Sequence, residues 1–176
     1  MQTSPNVFWF TGLPCAGKTT LATALATELR KAGRQVILLD GDELRPGLCR
    51  DLGFSENDRH ENIRRAAEVA ALLNRQGYFV CCSFVSPLEE LRLLAREIIG
   101  PGVFVEVFVD TPVEICEARD VKGMYARARR GEIKQFTGVS AAYEEPSQAE
   151  IVLKAGSNSI SSCMELMMKY VRLQND

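Results

Sequence analysis

Histidine is almost missing from this sequence: His60 is the only one in 176 residues. The six cysteines, Cys15, Cys49, Cys81, Cys82, Cys116 and Cys163, contain no C-x-x-C pair and no metal-ligand spacing with that histidine. A zinc site is therefore not expected, and reduced thiols are. Cys81 and Cys82 stand side by side in an apolar run, where a free cysteine acts as a small hydrophobe. Excess positive charge is missing too. Lys and Arg number 21 against 23 Asp and Glu, for a net charge of −2, so no basic field would hold nucleic acid or an acidic membrane surface. No apolar run approaches the roughly 20 residues that a membrane-spanning helix needs. The opening MQTSPNVFWF lacks a charged segment, a following apolar run and a small-residue cleavage site, which makes the cytoplasm the expected location.

What is present is an ordinary globular composition, 46% hydrophobic and 25% charged, of a length suited to one domain spanning residues 1–176. Short β-rich runs alternate with helical patterns. Strands are expected over residues 6–11, 35–39, 78–85, 103–109 and 150–154. Helices are expected over 18–33, 63–77, 88–99, 112–119, 124–130 and 162–173. Glycine closes the first two helices and Pro112 opens the fourth. Strands apolar throughout belong to a sheet covered on both faces. With helices between them, the prediction is an α/β fold: a doubly wound parallel sheet of about five strands.

Directly after the first expected strand comes Gly12-Leu13-Pro14-Cys15-Ala16-Gly17-Lys18-Thr19, which matches G-x-x-x-x-G-K-[ST] and is followed by Thr20. The glycines let successive backbone N–H groups face a phosphate, with a helix N-terminus behind them. Lys18 can reach the β- and γ-phosphates, and Thr19 can ligate Mg²⁺. A chance glycine-rich turn would lack the flanking strand and helix, so ATP binding is the stronger reading. The guanine-specifying N-K-x-D is absent, and the chain is short for a mechanochemical ATPase. That leaves a small P-loop kinase.

Residues 40–65 carry seven acids and five bases, and every base is arginine. The guanidinium fork suits phosphate, sulfate and carboxylate. Asp40 and Asp42 flank Gly41 after the second expected strand. In extended chain, residues two apart point to one side, so both carboxylates could face the transferred phosphate. One would support the Mg²⁺ shell and the other would accept the proton of an attacking hydroxyl. The plainer alternative is a capping turn.

The phosphate loop, LLDGDELRPGLCRDLGFSENDRHENIRR, FVSP, VFVDTPVEICEARDVKGMYARARRGEIKQFTG and AAYEEP follow one another in an order that resembles the adenylylsulfate kinase family, over roughly residues 6 to 155. The resemblance implies transfer of phosphate from Mg·ATP to the 3′-hydroxyl of adenosine 5′-phosphosulfate (APS) in sulfate assimilation. It places Asp42, with Asp40 nearby, at the attacking hydroxyl, and Arg45, Arg59 and Asn62 at the phosphosulfate. Phe54 and Phe136 fall at aromatic positions of the acceptor pocket, and Val85 and Ser86 at its wall. Ser86 also matches a serine described in the family as a phosphorylated intermediate, although no neighbouring base in the sequence would activate it. Residues 119–130 match a basic lid in which Arg119 and Lys122 face phosphate, while Arg127 and Arg130 read as solvated charge. A homodimer is the assembly the resemblance suggests.

The chain departs from the family pattern at Glu43, Val121, Leu88, Glu89 and Leu91, while Arg92 is retained. A Glu89 facing the pocket would oppose an anionic acceptor; facing solvent, it would not. Two further readings follow: a related kinase acting on another nucleotide, such as a modified nucleoside diphosphate, or a nucleotide-binding regulatory module.

Overall fold

The structure, a computed structural model, describes residues 6–173; residues 1–5, part of the segment read for a leader, and 174–176 lie outside it. Five strands form one parallel sheet: β1 (Val7–Thr11), β2 (Val36–Asp40), β3 (Phe79–Ser83), β4 (Phe104–Val109) and β5 (Ile151–Leu153), in the order β2-β3-β1-β4-β5. The helices are α1 (Lys18–Lys31), α2 (Gly41–Leu44), α3 (Glu56–Arg75), α4 (Glu89–Ile99), α5 (Val113–Arg119), α6 (Met124–Arg129) and α7 (Ile160–Leu173). None is long and apolar enough to cross a membrane.

Strand parity sorts the core into two layers, because successive side chains leave a strand on opposite faces. Phe8, Phe10, Val105 and Val107 pack with Leu21, Leu25 and Leu29 of α1 and Met167 of α7. Val7, Trp9, Val80 and Cys82 pack on the other face against α3 and α4. Each large side chain buried here contributes roughly 1.5–3 kcal/mol relative to exposure. On α3 the contact face is Ala66, Ala67, Ala70 and Ala71, all buried, and these small side chains let the helix lie close to the sheet.

Two local readings need correction. Helix α3 starts at Glu56, not near residue 63, because Ser55 and Asp58 form a reciprocal capping box. Residues 41–44 are not extended. Asp40 ends β2 and its Oδ1 accepts from the Asp42 N–H at 2.9 Å, opening the short helix α2. The capping reading of D-G-D is therefore correct for Asp40, and the extended-chain argument for the pair is not.

Candidate active site

Strand order puts β1 in the middle of the sheet, so the loop leaving its carboxyl end sits where a doubly wound fold binds its ligand. Gly12 has φ 149°, and a Cβ there would meet the Val109 carbonyl oxygen at 2.7 Å, so only glycine fits. Gly17, left-handed at φ 107°, caps α1 without a side-chain bond and leaves the first helical N–H groups to the loop. Lys18 folds back across the loop, donating to the Gly12 carbonyl at 3.0 Å and the Leu13 carbonyl at 2.7 Å. Burial pushes its amine down to about 8, with Cys116, Cys15, Asp40 and Asp42 pulling weakly the other way.

Three oxygens gather beside Lys18. Thr19 Oγ1 donates to Asp40 Oδ2 at 2.7 Å and lies 3.2 Å from Ser83 Oγ at the end of β3. An all-oxygen set of this kind fits Mg²⁺, which prefers hydroxyl, carboxylate and water ligands. From α2, the Asp42 carboxylate reaches Lys122 Nζ at 2.5 Å, which raises the Lys122 pKa.

All of these groups line one cavity of about 1090 Å³. It also takes in Pro14, Cys15, Ala16, Gly17, Thr20, Arg45, Phe54, Arg59, Asn62, Val85, Ser86, Arg119 and Phe136. Gly12 and Leu13 are the two expected residues outside its lining: Gly12 packs against β4 and Leu13 lies under Gly138.

The arginines of residues 40–65 divide by partner. Arg64 pairs with Glu61 at 2.7 Å, and Arg65 with Asp51 at 2.7 Å and Glu61 at 2.9 Å; these are surface networks. Arg45 and Arg59 have no carboxylate partner among the described residues. Arg45 lies 4.1 Å above the Phe54 ring and donates to the Gly53 carbonyl. Arg59 donates to the carbonyls of Phe54 and Gln135 and to Thr137 Oγ1. Partial burial and the nearby Arg45 charge lower the Arg59 pKa. Two guanidinium groups that repel each other and pair with no carboxylate leave positive charge facing the cavity. Beside them, buried Asn62 has an Oδ1 with no hydrogen-bond partner.

Ser86 is buried at the turn after β3, in the left-handed region at φ 36°. Its hydroxyl accepts from Trp9 Nε1 at 3.1 Å, and no base among the described residues touches it. Glu89, one of the departures from the family pattern, is exposed and outside the cavity lining. Its backbone N–H donates to Glu144 Oε2 at 2.6 Å, so Glu89 faces solvent at the start of α4.

The lid is fastened at its helix. Asp120 accepts from the N–H groups of Tyr125 and Ala126, and buried Tyr125 donates to the Pro14 carbonyl at 3.0 Å. Tyr125 also meets Phe136 edge-on with centroids 5.0 Å apart, which sets the Phe136 ring in the cavity wall. Arg127 and Arg130 both pair with Glu132. Arg127 is exposed, as its reading as solvated charge expects, and also lines the cavity. Arg119 donates to the carbonyls of Cys15, Ala16 and Ala155.

Sequence reasoning missed Ser83 and the group Ala155, Asn158, Ile160 and Cys163 at the far end of the same cavity. The signal was available: all follow or end strands at the carboxyl edge of the sheet, where ligands bind.

A parallel sheet with a phosphate loop after its central strand, an acidic turn opposite and a basic lid over an anion-seeking cavity defines a P-loop kinase. The adenylylsulphate kinase family model matches residues 4–154, and the chain belongs to that family. It is 49% identical to the adenylyl-sulfate kinase of Aeromonas hydrophila over 170 residues, covering 97% of this chain and 86% of that protein. Identity to the adenylyl-sulfate kinase of Escherichia coli K12 is 51% over 170 residues, covering 97% and 84%. Among solved structures, the Mycobacterium tuberculosis APS kinase in complex with AMPPNP and APS superposes with a TM-score of 0.92 at 42% identity, covering 97% of this chain and 99% of that one. A gluconokinase from Sinorhizobium meliloti, 16% identical with a TM-score of 0.62, shares the fold.

Proposed function

We propose that the protein transfers the γ-phosphoryl group of ATP to the 3′-hydroxyl of adenosine 5′-phosphosulfate, giving 3′-phosphoadenylylsulfate and ADP. The observation that carries this is the pairing, in one cavity, of a phosphate loop with two arginines that have no carboxylate partner, Arg45 and Arg59. The bound APS and AMPPNP of the M. tuberculosis relative support two nucleotides in such a cavity.

The loop N–H groups and Lys18 hold the phosphates of ATP; Lys18 exchanges two carbonyl partners for phosphate oxygens as it does so. Thr19 and Asp40, with Ser83 behind them, would hold Mg²⁺. When bound, the ion neutralises charge on the β- and γ-phosphates. Arg45 and Arg59 grip the phosphosulfate as charge-assisted donors. The unpartnered Asn62 oxygen accepts a hydrogen bond from the acceptor nucleotide, and Phe136 and Phe54 offer flat faces to its base. Asp42 orients the attacking 3′-hydroxyl and accepts its proton. Lys122, now on Asp42, transfers to the developing phosphoryl charge as the lid turn closes and excludes water.

Exposed Glu89 stays outside the cavity lining, so it does not oppose an anionic acceptor there. A cytoplasmic setting belongs to the same proposal, supported by six free cysteines. An ADP-release assay with Mg·ATP and a panel of acceptor nucleotides tests the reading. Turnover with APS is expected. No APS turnover, with turnover of another nucleotide, would overturn the substrate; no turnover at all, with ATP bound, would overturn the enzyme.

A further inference from the structure

The wall of the cavity at Val85, Ser86 and Pro87 is held in shape by a charge that never reaches the cavity. Arg92 of α4 is 3% exposed and Glu106 of β4 is 7% exposed, and neither lines the cavity. Arg92 Nη1 donates to the Ser86 carbonyl at 3.0 Å, while its Nε sits 2.8 Å from Glu106 Oε1 in an ion pair without hydrogen-bond geometry. The Ser86 backbone, left-handed at φ 36°, is a conformation a non-glycine residue keeps only when its surroundings impose it. Trp9 fixes the Ser86 hydroxyl and Thr11 Oγ1 fixes the Val85 carbonyl at 2.8 Å. The Ser86 carbonyl turns inward to the guanidinium. A buried ion pair is a poor device for stability alone, since desolvation offsets its attraction. Here the guanidinium donates to the carbonyl through Nη1 while its charge is held by the Glu106 carboxylate through an ion pair, so one side chain ties β4 to the turn.

We propose that Arg92 is a positioning residue for the acceptor nucleotide: through the Ser86 carbonyl it sets the turn against which the acceptor binds, and Glu106 holds the guanidinium for that task. The inference rests on the acceptor occupying the cavity beside Ser86, as in the proposed function. Donor binding depends on residues 12–19 and Arg119, which Arg92 does not touch.

The test is steady-state kinetics of full-length Arg92→Lys, with melting temperature and ATP affinity measured alongside. Lysine keeps the charge but loses the fork. Expected is a rise of about tenfold in KM for APS, with ATP affinity and kcat each within about threefold of wild type. Arg96→Lys is the comparison: Arg96 lies 3.5 Å from the same Glu106 and pairs with Glu150, but has no bond to the Ser86 turn. It should lower melting temperature without moving KM for APS. If Arg92→Lys does not fold, the double variant Arg92→Met, Glu106→Gln leaves no unpaired charge and carries the same expectation. An unchanged KM for APS, or equal losses for APS and ATP, overturns the proposal. Should wild type use another acceptor, the substrate reading fails separately, and the same comparison is made with that acceptor.

Discussion

Lys122 and Asp42 form an ion pair at 2.5 Å between the lid turn and α2, with 65% and 74% of their side chains exposed. A pair this open to water is screened and adds little stability. It acts as a light latch, and the proposed transfer mechanism needs its two ends apart.

Asp42→Asn should therefore abolish transfer, by about 10²-fold or more, while ATP affinity changes less than about threefold. Lys122→Met should slow transfer with no shift in melting temperature beyond a degree or so, because the latch contributes so little. Single-turnover kinetics and a thermal melt check both. Unchanged transfer in Asp42→Asn would refute its role at the hydroxyl.

ATP affinity should depend on pH through Lys18. Phosphate favours the charged amine, but burial holds its pKa at about 8 in the free protein. Affinity is then steady below that value and weakens above it, approaching about tenfold per pH unit. The stability effect runs in the other direction. The folded pKa lies below the ordinary 10.5, so between pH 8 and 10.5 the unfolded chain binds the extra proton, and this group favours folding more as pH rises. Calorimetric titration of ATP from pH 7 to 9.5 decides it; a flat profile would show that Lys18 does not titrate there.

Ser86→Ala should still turn over, within about tenfold of wild type, because in-line transfer needs no covalent step. Its cost falls on stability: removing the hydroxyl strands the buried Trp9 N–H, a loss of about 1–3 kcal/mol. Stoichiometric labelling of wild-type Ser86 by γ-labelled ATP would contradict this.

Cys15 has φ 61° inside the phosphate loop, where a side chain is strained. Cys15→Gly should relieve about 1 kcal/mol or more of strain while giving up about half of that to unfolded-chain entropy, so a small rise in melting temperature is expected. Cys15→Ala keeps the strain and should not show the rise. Parallel melts of the two variants separate strain from loss of the thiol.

The sheet was legible because strands buried on both faces leave apolar runs, as at residues 78–85, and because glycine or proline punctuates the helices. The phosphate loop was legible for the same local reason: its glycines, Lys18 and Thr19 are adjacent in sequence. Helix α3 was cut short because its first turns are polar, and the Ser55 and Asp58 box speaks more quietly than an apolar stripe. The role of each arginine could not be read from residues 40–65 alone. Whether an arginine is spent on a carboxylate depends on helix phase and long-range partners: Arg65 finds Asp51 fourteen positions back, whereas Arg59 finds Gln135 from the far side of the cavity. Arg127 is solvated charge as read, yet its place on the cavity rim could not be seen from its sequence neighbours.

Trp9, the only tryptophan, bonds the Ser86 hydroxyl and stacks on Phe84 at 4.9 Å, and both of those residues line the cavity where the acceptor is proposed to bind. The protein therefore carries a built-in optical reporter. Its emission comes from one fully buried indole whose N–H donates to the Ser86 turn. A nucleotide that settles against that turn should change the fluorescence, and one that fills only the phosphate loop should leave it quiet. Acceptor and donor occupancy should thus be told apart in the unlabelled wild-type protein.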